Sequence, residues 1–507
     1  MTARSVSFTL SISAIDRYRQ FSLLGYTGTY QPKCPSMSLM VSVSGIRGIV
    51  GEDLTPGNLV SYSQAFADWL RKGRAGTGKP KIVIGRDTRP SGENILPLVA
   101  ETLVLSGCDV VDLGVATTPT AELAVTEHGA DGGIIVTASH NPIEWNALKL
   151  LNQDGEFLTS NQLESFLAIH ETKAFESARW DGIGSTTEDH GAGDRHIDRI
   201  LALPDIDTDL IRKQDFSVLV DSVEGAGYAV IPELCRRLGI AKVETIACEG
   251  TGVFPRKPEP IEENLQETIA RVHEAGCDFG IVVDPDVDRL VLVSEDGTLF
   301  GEEYTFVACA DAFLRKRPGT VINNLSSSRA LRDIAEKHGS KCMSAKVGEA
   351  NVVEVMKAES AVLGGEGNGG VILPDIHYGR DALVGVALFL QSFTEWRESR
   401  PKGEERTLSA YRKTLPEYVM AKKKLEISIP KDRLAHMFAS IAESHKEAEA
   451  DTRDGLKLDF PDSWVHLRAS NTEPIIRIYA EAQTVEEADR LAERFMREIG
   501  EKASVAV

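Results

Sequence analysis

Three aspartates stand at alternate positions in Asp284-Pro285-Asp286-Val287-Asp288-Arg289, directly after the apolar run Phe279–Val283. Carboxylates so spaced can converge on one hard cation. Few protein oxygens, with room left for a phosphate oxygen, suit Mg²⁺ better than Ca²⁺. The segment is not an EF-hand, because it has no Gly at the sixth position and no preceding helix. A solvated acidic turn is the plain alternative, but an apolar strand ending in three acids and an Arg asks for a partner. A second apolar run, Gly133–Val136, leads into Thr137-Ala138-Ser139-His140-Asn141-Pro142. A Ser on a sharp turn after a strand suits a nucleophile or phosphate acceptor, and His140 can donate to an oxyanion. Ser, Asn and Pro are equally ordinary turn formers.

Three further segments carry polar reach. In Gly364-Gly365-Glu366-Gly367-Asn368-Gly369-Gly370 the glycines allow close backbone approach, and only Glu366 and Asn368 offer polar side chains. A carboxylate with an amide suits the vicinal hydroxyls of a sugar, although a flexible loop would read the same way. Arg468-Ala469-Ser470-Asn471-Thr472-Glu473-Pro474, with Arg477 beyond it, presents cationic and hydroxyl donors that fit a phosphate dianion or an ordinary hairpin. Gly85-Arg86-Asp87-Thr88-Arg89-Pro90-Ser91-Gly92 and Ser44-Gly45-Ile46-Arg47-Gly48 place arginines at Gly turns, where Arg86 and Asp87 would form a structural ion pair capping a helix.

Something must hold these segments at strand ends. From Lys81 the chain alternates strand and helix signals: Lys81–Ile84, Asp109–Leu113 and Gly133–Val136 read as strands of a mostly parallel sheet. A polar, Gly-rich stretch within Phe157–Ile200 marks a boundary. Phe216–Val220, a turn at Val223–Gly227, Lys242–Ala247, Phe279–Val283 and Leu290–Val293 make a second unit. Val321–Asn323, Cys342–Ala345 and Ala361–Leu363 make a third, and Arg397–Arg406 a linker. Strands at Lys424–Ile429, Trp464–Arg468 and Ile475–Ala480, with helices at Lys431–Ala450 and Val485–Lys502, predict an α+β end unit. Thr484 and Glu487 open its last helix as a capping box.

At 507 residues the chain needs three or four domains. A hydrophobic content of 42% fits a globular protein, and no apolar run spans a bilayer. The net charge of −20 disfavours nucleic acid and anionic membranes as partners, so any anionic ligand must meet locally concentrated positive charge. Seven cysteines without CxxC spacing point to reduced thiols and a cytoplasmic location. Residues 1–39 are Ser-rich and acid-poor, with Asp16 alone. They read either as a transit peptide or, preferably, as an upstream extension before a start at Met37 or Met40, outside the folded core and disordered.

Taken together and in this order, from Ser44 to Ala480, the segments resemble the α-D-phosphohexomutase superfamily of phosphoglucomutases and phosphomannomutases. The resemblance implies four domains around a central cleft: three related α/β domains (40–195, 196–298, 299–418) and a C-terminal α+β domain (419–507). It implies interconversion of hexose 6-phosphate and hexose 1-phosphate through a phosphoserine and a 1,6-bisphosphate, with Mg²⁺ and hexose 1,6-bisphosphate as activator. Ser139 would be the phosphoserine. Asp284, Asp286 and Asp288, with the phosphoserine oxygen, would bind the metal. Lys149, ten residues after Ser139, would be a general acid or base beside His140. Arg47 and Arg289 would face the reacting phosphoryl group. Lys346, Glu366 and Asn368 would contact the sugar, and Arg468, Ser470, Asn471, Thr472 and Arg477 the distal phosphate. A monomer or homodimer acting on small sugar phosphates is expected. Bacterial sugar loops in the family read Glu-x-Ser-Gly-His, whereas this chain has Asn368 and Gly370 at the last variable positions. That form, and Trp145-Asn146-Ala147-Leu148-Lys149, look like phosphoglucosamine mutases. A phosphoglucomutase/phosphomannomutase is the runner-up, ahead of a metal-dependent phosphatase or a non-catalytic sugar-phosphate sensor.

Overall fold

The computed structural model describes residues 39–505 apart from 75, 77, 428 and 470–474; the N-terminal extension lies outside them. The described chain forms four sheets. In the first, Gly132–Val136 is parallel to Lys81–Arg86, which is parallel to Asp109–Val115, while Trp145–Leu151 runs antiparallel to Gly132–Val136. Met40–Ser42, Gly45–Ile49 and Thr186–Glu188 extend its edges. The second sheet repeats that core: Ser217–Asp221 lies between Lys242–Ile246 and Phe279–Val283, with Leu290–Ser294 antiparallel outside. The third repeats it again with Thr320–Asn324, Lys341–Ala345, Leu363–Glu366 and Gly370–Ile372.

Each α/β unit therefore has the spatial order second-first-third-fourth, the fourth strand turning back on the third. Gly132–Val136 and Phe279–Val283 are buried at every position, as strands covered on both faces must be. Helix Ala382–Ser399 is buried from Ala382 to Thr394 and is capped by Asp381, whose carboxylate accepts from Leu383 N and Val384 N. One apolar core runs through the second and third units, from Ile197 to Leu415. Each fully buried Leu or Phe in it contributes about 1.5–3 kcal/mol. The C-terminal sheet is antiparallel throughout, in the order Val419–Glu426, Ile475–Ala482, Trp464–Ala469, Leu456–Asp459, Glu449–Asp451. Helices Lys431–Ser444 and Val485–Val505 complete it, the latter opened by Thr484 Oγ1 accepting from Glu487 N.

Several readings change. In the C-terminal unit the strand expected at Lys424–Ile429 is Val419–Glu426, and the helix expected at Lys431–Ala450 ends at Ser444, with Glu449–Asp451 an edge strand. The strand expected at Ala361–Leu363 is Leu363–Glu366, so half of the Gly-rich segment is sheet and the rest a tight hairpin turn. Trp145–Leu151, which no apolar run marks, is a strand whose polar Asn146 and Lys149 are buried. The 195/196 boundary falls inside helix Ala192–Leu201. All six described cysteines are free, and no helix among the described residues is long and apolar enough to cross a membrane.

Candidate active site

Topology explains why the segments meet. The Ser139 turn, the Asp284–Asp288 turn and the Glu366–Gly370 turn are the same connection, third strand to fourth, in the three units. Ser139 has φ 50° and Val287 φ 66°. Both are left-handed conformations that cost a non-glycine residue, Val most of all, and surrounding bonds must impose them. At Ser139 the restraint is Arg89, 0% exposed, whose guanidinium donates to the carbonyls of Ser139 (2.5 Å), Asn141 (2.8 Å) and Pro142 (2.7 Å). Asp87 orients that guanidinium, accepting from Arg89 Nε at 2.9 Å and Thr137 Oγ1 at 2.7 Å. Asp87 thus pairs with Arg89, while Arg86 donates to the Asp87 carbonyl, correcting the ion pair expected from sequence.

Ser139 Oγ donates to Asp284 Oδ2 at 2.9 Å and lies 3.2 Å from His140 Nδ1. Asp284 Oδ1 accepts from the backbone N–H groups of Asp288 and Arg289. Asp286 Oδ2 accepts from Lys149 Nζ at 2.6 Å and Thr118 Oγ1 at 2.7 Å. Asp288 Oδ2 accepts from Arg380 Nη2 at 2.6 Å. That leaves Asp286 Oδ1 and Asp288 Oδ1 buried without a hydrogen-bond partner. One oxygen of each carboxylate is anchored, and the three side chains bring ligand atoms within 4.8 Å of one another. This donor set fits a divalent cation that prefers oxygen.

Burial and the neighbouring aspartates raise Asp284 well above the ordinary carboxylate range. Burial would raise Asp286 too, but Lys149 outweighs it and holds Asp286 low. For Lys149, burial opposes the charge, and Asp286 with Asp288 more than restores it. His140 is driven well below its usual value by burial and by Arg289 and Arg47, which disfavours its imidazolium form. Arg47 donates to Asn141 Oδ1 at 2.5 Å, and among the described residues Arg289 has no carboxylate oxygen nearer than 3.8 Å. Both cations sit at the serine turn with charge to spare for an anion.

A hydrogen-bonded chain runs on toward the sugar turn. Arg380 donates to Asp288, to Glu349 Oε2 at 2.9 Å and to Glu366 Oε2 at 2.9 Å. Glu366 Oε1 accepts from Asn324 and Gly348 N, which leaves Oε2 with one lone pair for an incoming hydroxyl. Asn368 Oδ1 accepts from Gly370 N, which fixes its amide within the turn. Lys346 is exposed on the neighbouring loop and makes no ion pair with a described residue. Asp454 ties that loop to the C-terminal unit, accepting from Val347 N at 3.0 Å and pairing with Arg468 Nε at 2.9 Å. Strand register sets Lys424 opposite Arg477 and Arg477 opposite Arg468. Like charges across a sheet repel, and an anion beside them offsets the repulsion. Ser470, Asn471 and Thr472 lie outside the described residues. Arg380, Thr118, Asn324 and Lys424 were not singled out from sequence; the one available signal was an Arg between Gly379 and the helix-capping Asp381.

Behind the sugar turn, Asp381 Oδ2 faces His196 Nε2 at 2.8 Å and His377 Nε2 at 3.2 Å, and His377 Nδ1 lies 3.3 Å from Glu122 Oε2. Burial works against charge on His377, yet Asp381 and Glu122 together push it up to about 10. Burial and Glu349 push Glu122 up to about 8. Both shifts make the native state bind more protons than the unfolded chain. The stability His377 supplies is whole below its unfolded value, near 6.5, and disappears as pH rises toward 10. Melting temperature is expected to fall between pH 7 and 10. His377→Gln is expected to flatten that slope and cost about 3 kcal/mol at pH 7; parallel slopes would refute the assignment.

A strand-end serine facing a buried carboxylate triad, with arginines on one side and a sugar-suited turn on the other, is the arrangement of a phosphoryl-transfer enzyme acting on a polyol phosphate. Four matches define it further: phosphoglucomutase/phosphomannomutase alpha/beta/alpha domain I over residues 39–177, domain II over 194–297, domain III over 301–418, and the C-terminal domain over 427–498. A phosphoglucomutase/phosphomannomutase of Thermococcus kodakarensis is 36% identical over 455 residues, covering 89% of this chain and 96% of that protein. A protein of Methanopyrus kandleri named a probable phosphoglucosamine mutase is 33% identical over 464 residues, covering 91% and 97%. The crystal structure of a phosphoglucomutase/phosphomannomutase family protein from Burkholderia thailandensis superposes with a TM-score of 0.76 at 26% identity, covering 92% and 98%. The chain belongs to the phosphoglucomutase/phosphomannomutase family of the α-D-phosphohexomutase superfamily, and it is a phosphohexomutase.

Proposed function

We propose that this phosphohexomutase interconverts glucosamine 6-phosphate and glucosamine 1-phosphate through phosphorylated Ser139 and a 1,6-bisphosphate. The observation that carries the reading is Ser139 Oγ, 2.9 Å from Asp284 Oδ2 and grouped with the unbonded oxygens of Asp286 and Asp288. Those carboxylates would hold Mg²⁺, which when bound neutralises charge on the phosphoryl oxygens and on the departing Ser139 oxygen. The rest falls to the chain. In the forward half-reaction the P–O bond to Ser139 Oγ breaks and a new one forms to a sugar hydroxyl. The hydroxyl proton leaves and Oγ gains one. His140, with Nδ1 3.2 Å from Ser139 Oγ, and Lys149, on Asp286 beside it, are the groups placed to exchange those protons. Arg47 and Arg289 offset the equatorial charge. The bisphosphate then turns over and returns its other phosphoryl group to Ser139, which requires a distal anchor that accepts either phosphate. The cationic row Lys424, Arg477 and Arg468 supports that role.

The amino sugar is favoured by the Glu366-Gly367-Asn368-Gly369-Gly370 turn and by relatives named as probable phosphoglucosamine mutases. Glucose or mannose phosphate is the second reading, favoured by the Thermococcus relative's name. Hexose 1,6-bisphosphate as activator, a cytoplasmic location, and a monomer or homodimer complete the proposal. Its test is ³¹P NMR with Mg²⁺ and trace hexose 1,6-bisphosphate, each 6-phosphate offered separately. A 1-phosphate signal without free phosphate, fastest from glucosamine 6-phosphate, is expected. Faster glucose or mannose turnover reassigns the sugar, and free phosphate alone indicates a phosphatase.

A further inference from the structure

The Glu366–Gly370 turn ends on Gly370, which has no side chain. A Cβ built on Gly370 would lie 2.3 Å from Arg380 Cδ and 2.8 Å from Arg380 Cγ. The Arg380 side chain thus fills the volume that a side chain at position 370 would need. The side chain is 11% exposed, and its guanidinium reaches Asp288 on the carboxylate turn as well as Glu349 and Glu366. We propose that Arg380 is the residue that positions the sugar turn against the carboxylate triad, reaching it through the space that Gly370 leaves open. This rests on the mutase reading above. Arg380 acts through Glu366 and Asp288. It holds Glu366 Oε2 in place with one lone pair free for a hydroxyl, and it holds Asp288 Oδ2, leaving Oδ1 buried and unbonded. A planar fork is needed to grip three carboxylates in fixed directions, and a lysine offers only a point charge. Occupancy is exclusive: a large side chain at 370 and the present Arg380 conformation cannot coexist.

Two experiments test this. In the first, Arg380→Lys is compared with wild type for sugar-phosphate KM, kcat and Mg²⁺ binding by calorimetry. The expected result is a KM raised about tenfold or more and Mg²⁺ affinity lowered about tenfold, on the scale of losses when a ligand's supporting partner is removed. Added guanidinium ion is expected to restore part of the activity of Arg380→Ala. Wild-type KM and Mg²⁺ affinity in Arg380→Lys would overturn the proposal. The second is a double-mutant cycle. Gly370→His alone is expected to lose about 10²-fold in kcat/KM, and Gly370→His with Arg380→Ala to lose less than the product of the two single losses. Fully multiplicative losses would refute the shared volume. Should Arg380→Ala fail to fold, the lysine variant decides. A wild-type protein that converts no sugar phosphate would sink the mutase reading, and the calorimetric comparison would still judge Arg380.

Discussion

Ser139→Ala is expected to lower mutase turnover by about 10⁴-fold or more, as the loss of a covalent nucleophile does, and to leave the melting temperature within about 2 °C of wild type. The two readouts separate because Ser139 supports the fold through its backbone. Arg89 holds its carbonyl and Thr137 Oγ1 accepts from its N–H, and an alanine keeps both. The hydroxyl makes one strong bond, to Asp284, whose other oxygen keeps its two backbone donors. The cost of the left-handed φ is common to Ser and Ala. Turnover is read by ³¹P NMR, and phosphorylation by intact mass after incubation with hexose 1,6-bisphosphate. A variant that keeps even a tenth of wild-type turnover, or still takes up phosphate, would remove Ser139 from the mechanism.

Asp286→Asn is expected to raise the Mg²⁺ concentration for half-maximal activity by at least about 10²-fold and to depress turnover even at saturating metal. Asp286 has two duties on its two oxygens. Oδ2 accepts from Lys149 and Thr118, and Oδ1 is the unbonded atom turned to the triad. An amide supplies no charge to a cation, and in one of its two orientations its NH₂ confronts the Lys149 ammonium. The buried lysine, 3% exposed, then keeps only Asp288, 3.7 Å away. Its ammonium becomes less favourable, since Asp286 is the main attraction offsetting its burial. A Mg²⁺ titration that coincides with wild type would count against placing the cation at these carboxylates.

Much of this was readable beforehand, for physical reasons. Strands covered on both faces are short apolar runs, so Phe279–Val283 and Gly132–Val136 declare themselves, and whatever polar residues follow them stand at a strand's end. The serine and aspartate segments follow from that rule together with their residue types: three acids at alternate positions, and a Ser beside a His at a turn. Trp145–Leu151 hid because a buried lysine and asparagine break the apolar pattern, and they are there for Asp286 and Ser91. The Gly-rich segment reads as a loop because glycine carries no strand preference, yet Gly364 and Gly365 pair in register with Ile372 and Val371. Arg380 was invisible because its meaning depends on a volume left by Gly370, ten residues earlier, and on two carboxylates from other segments. No local pattern encodes such a meeting.

The joints between units differ in kind. Thr118 N donates to the Asp286 carbonyl, Leu290 N to that of Gly369, and Ala382 N to that of Val287, so main chain stitches the first three units together at the carboxylate turn. Among the described residues, the C-terminal unit meets the third through contacts that involve side chains: Arg329 with Asp459 and the carbonyls of Phe460, Pro461 and Ser463, Ser326 with His466, and Asp454 with Val347. Main-chain bonds fix a spacing, whereas side chains can trade partners by changing rotamer. The first three units are thus joined main chain to main chain, and the C-terminal unit is joined to the third by bonds that a rotamer change can exchange. That exchangeable joint carries the strand pair that holds Arg468 and Arg477, so a change of side-chain partners there would shift these cations while leaving the main-chain bonds at the carboxylate turn intact.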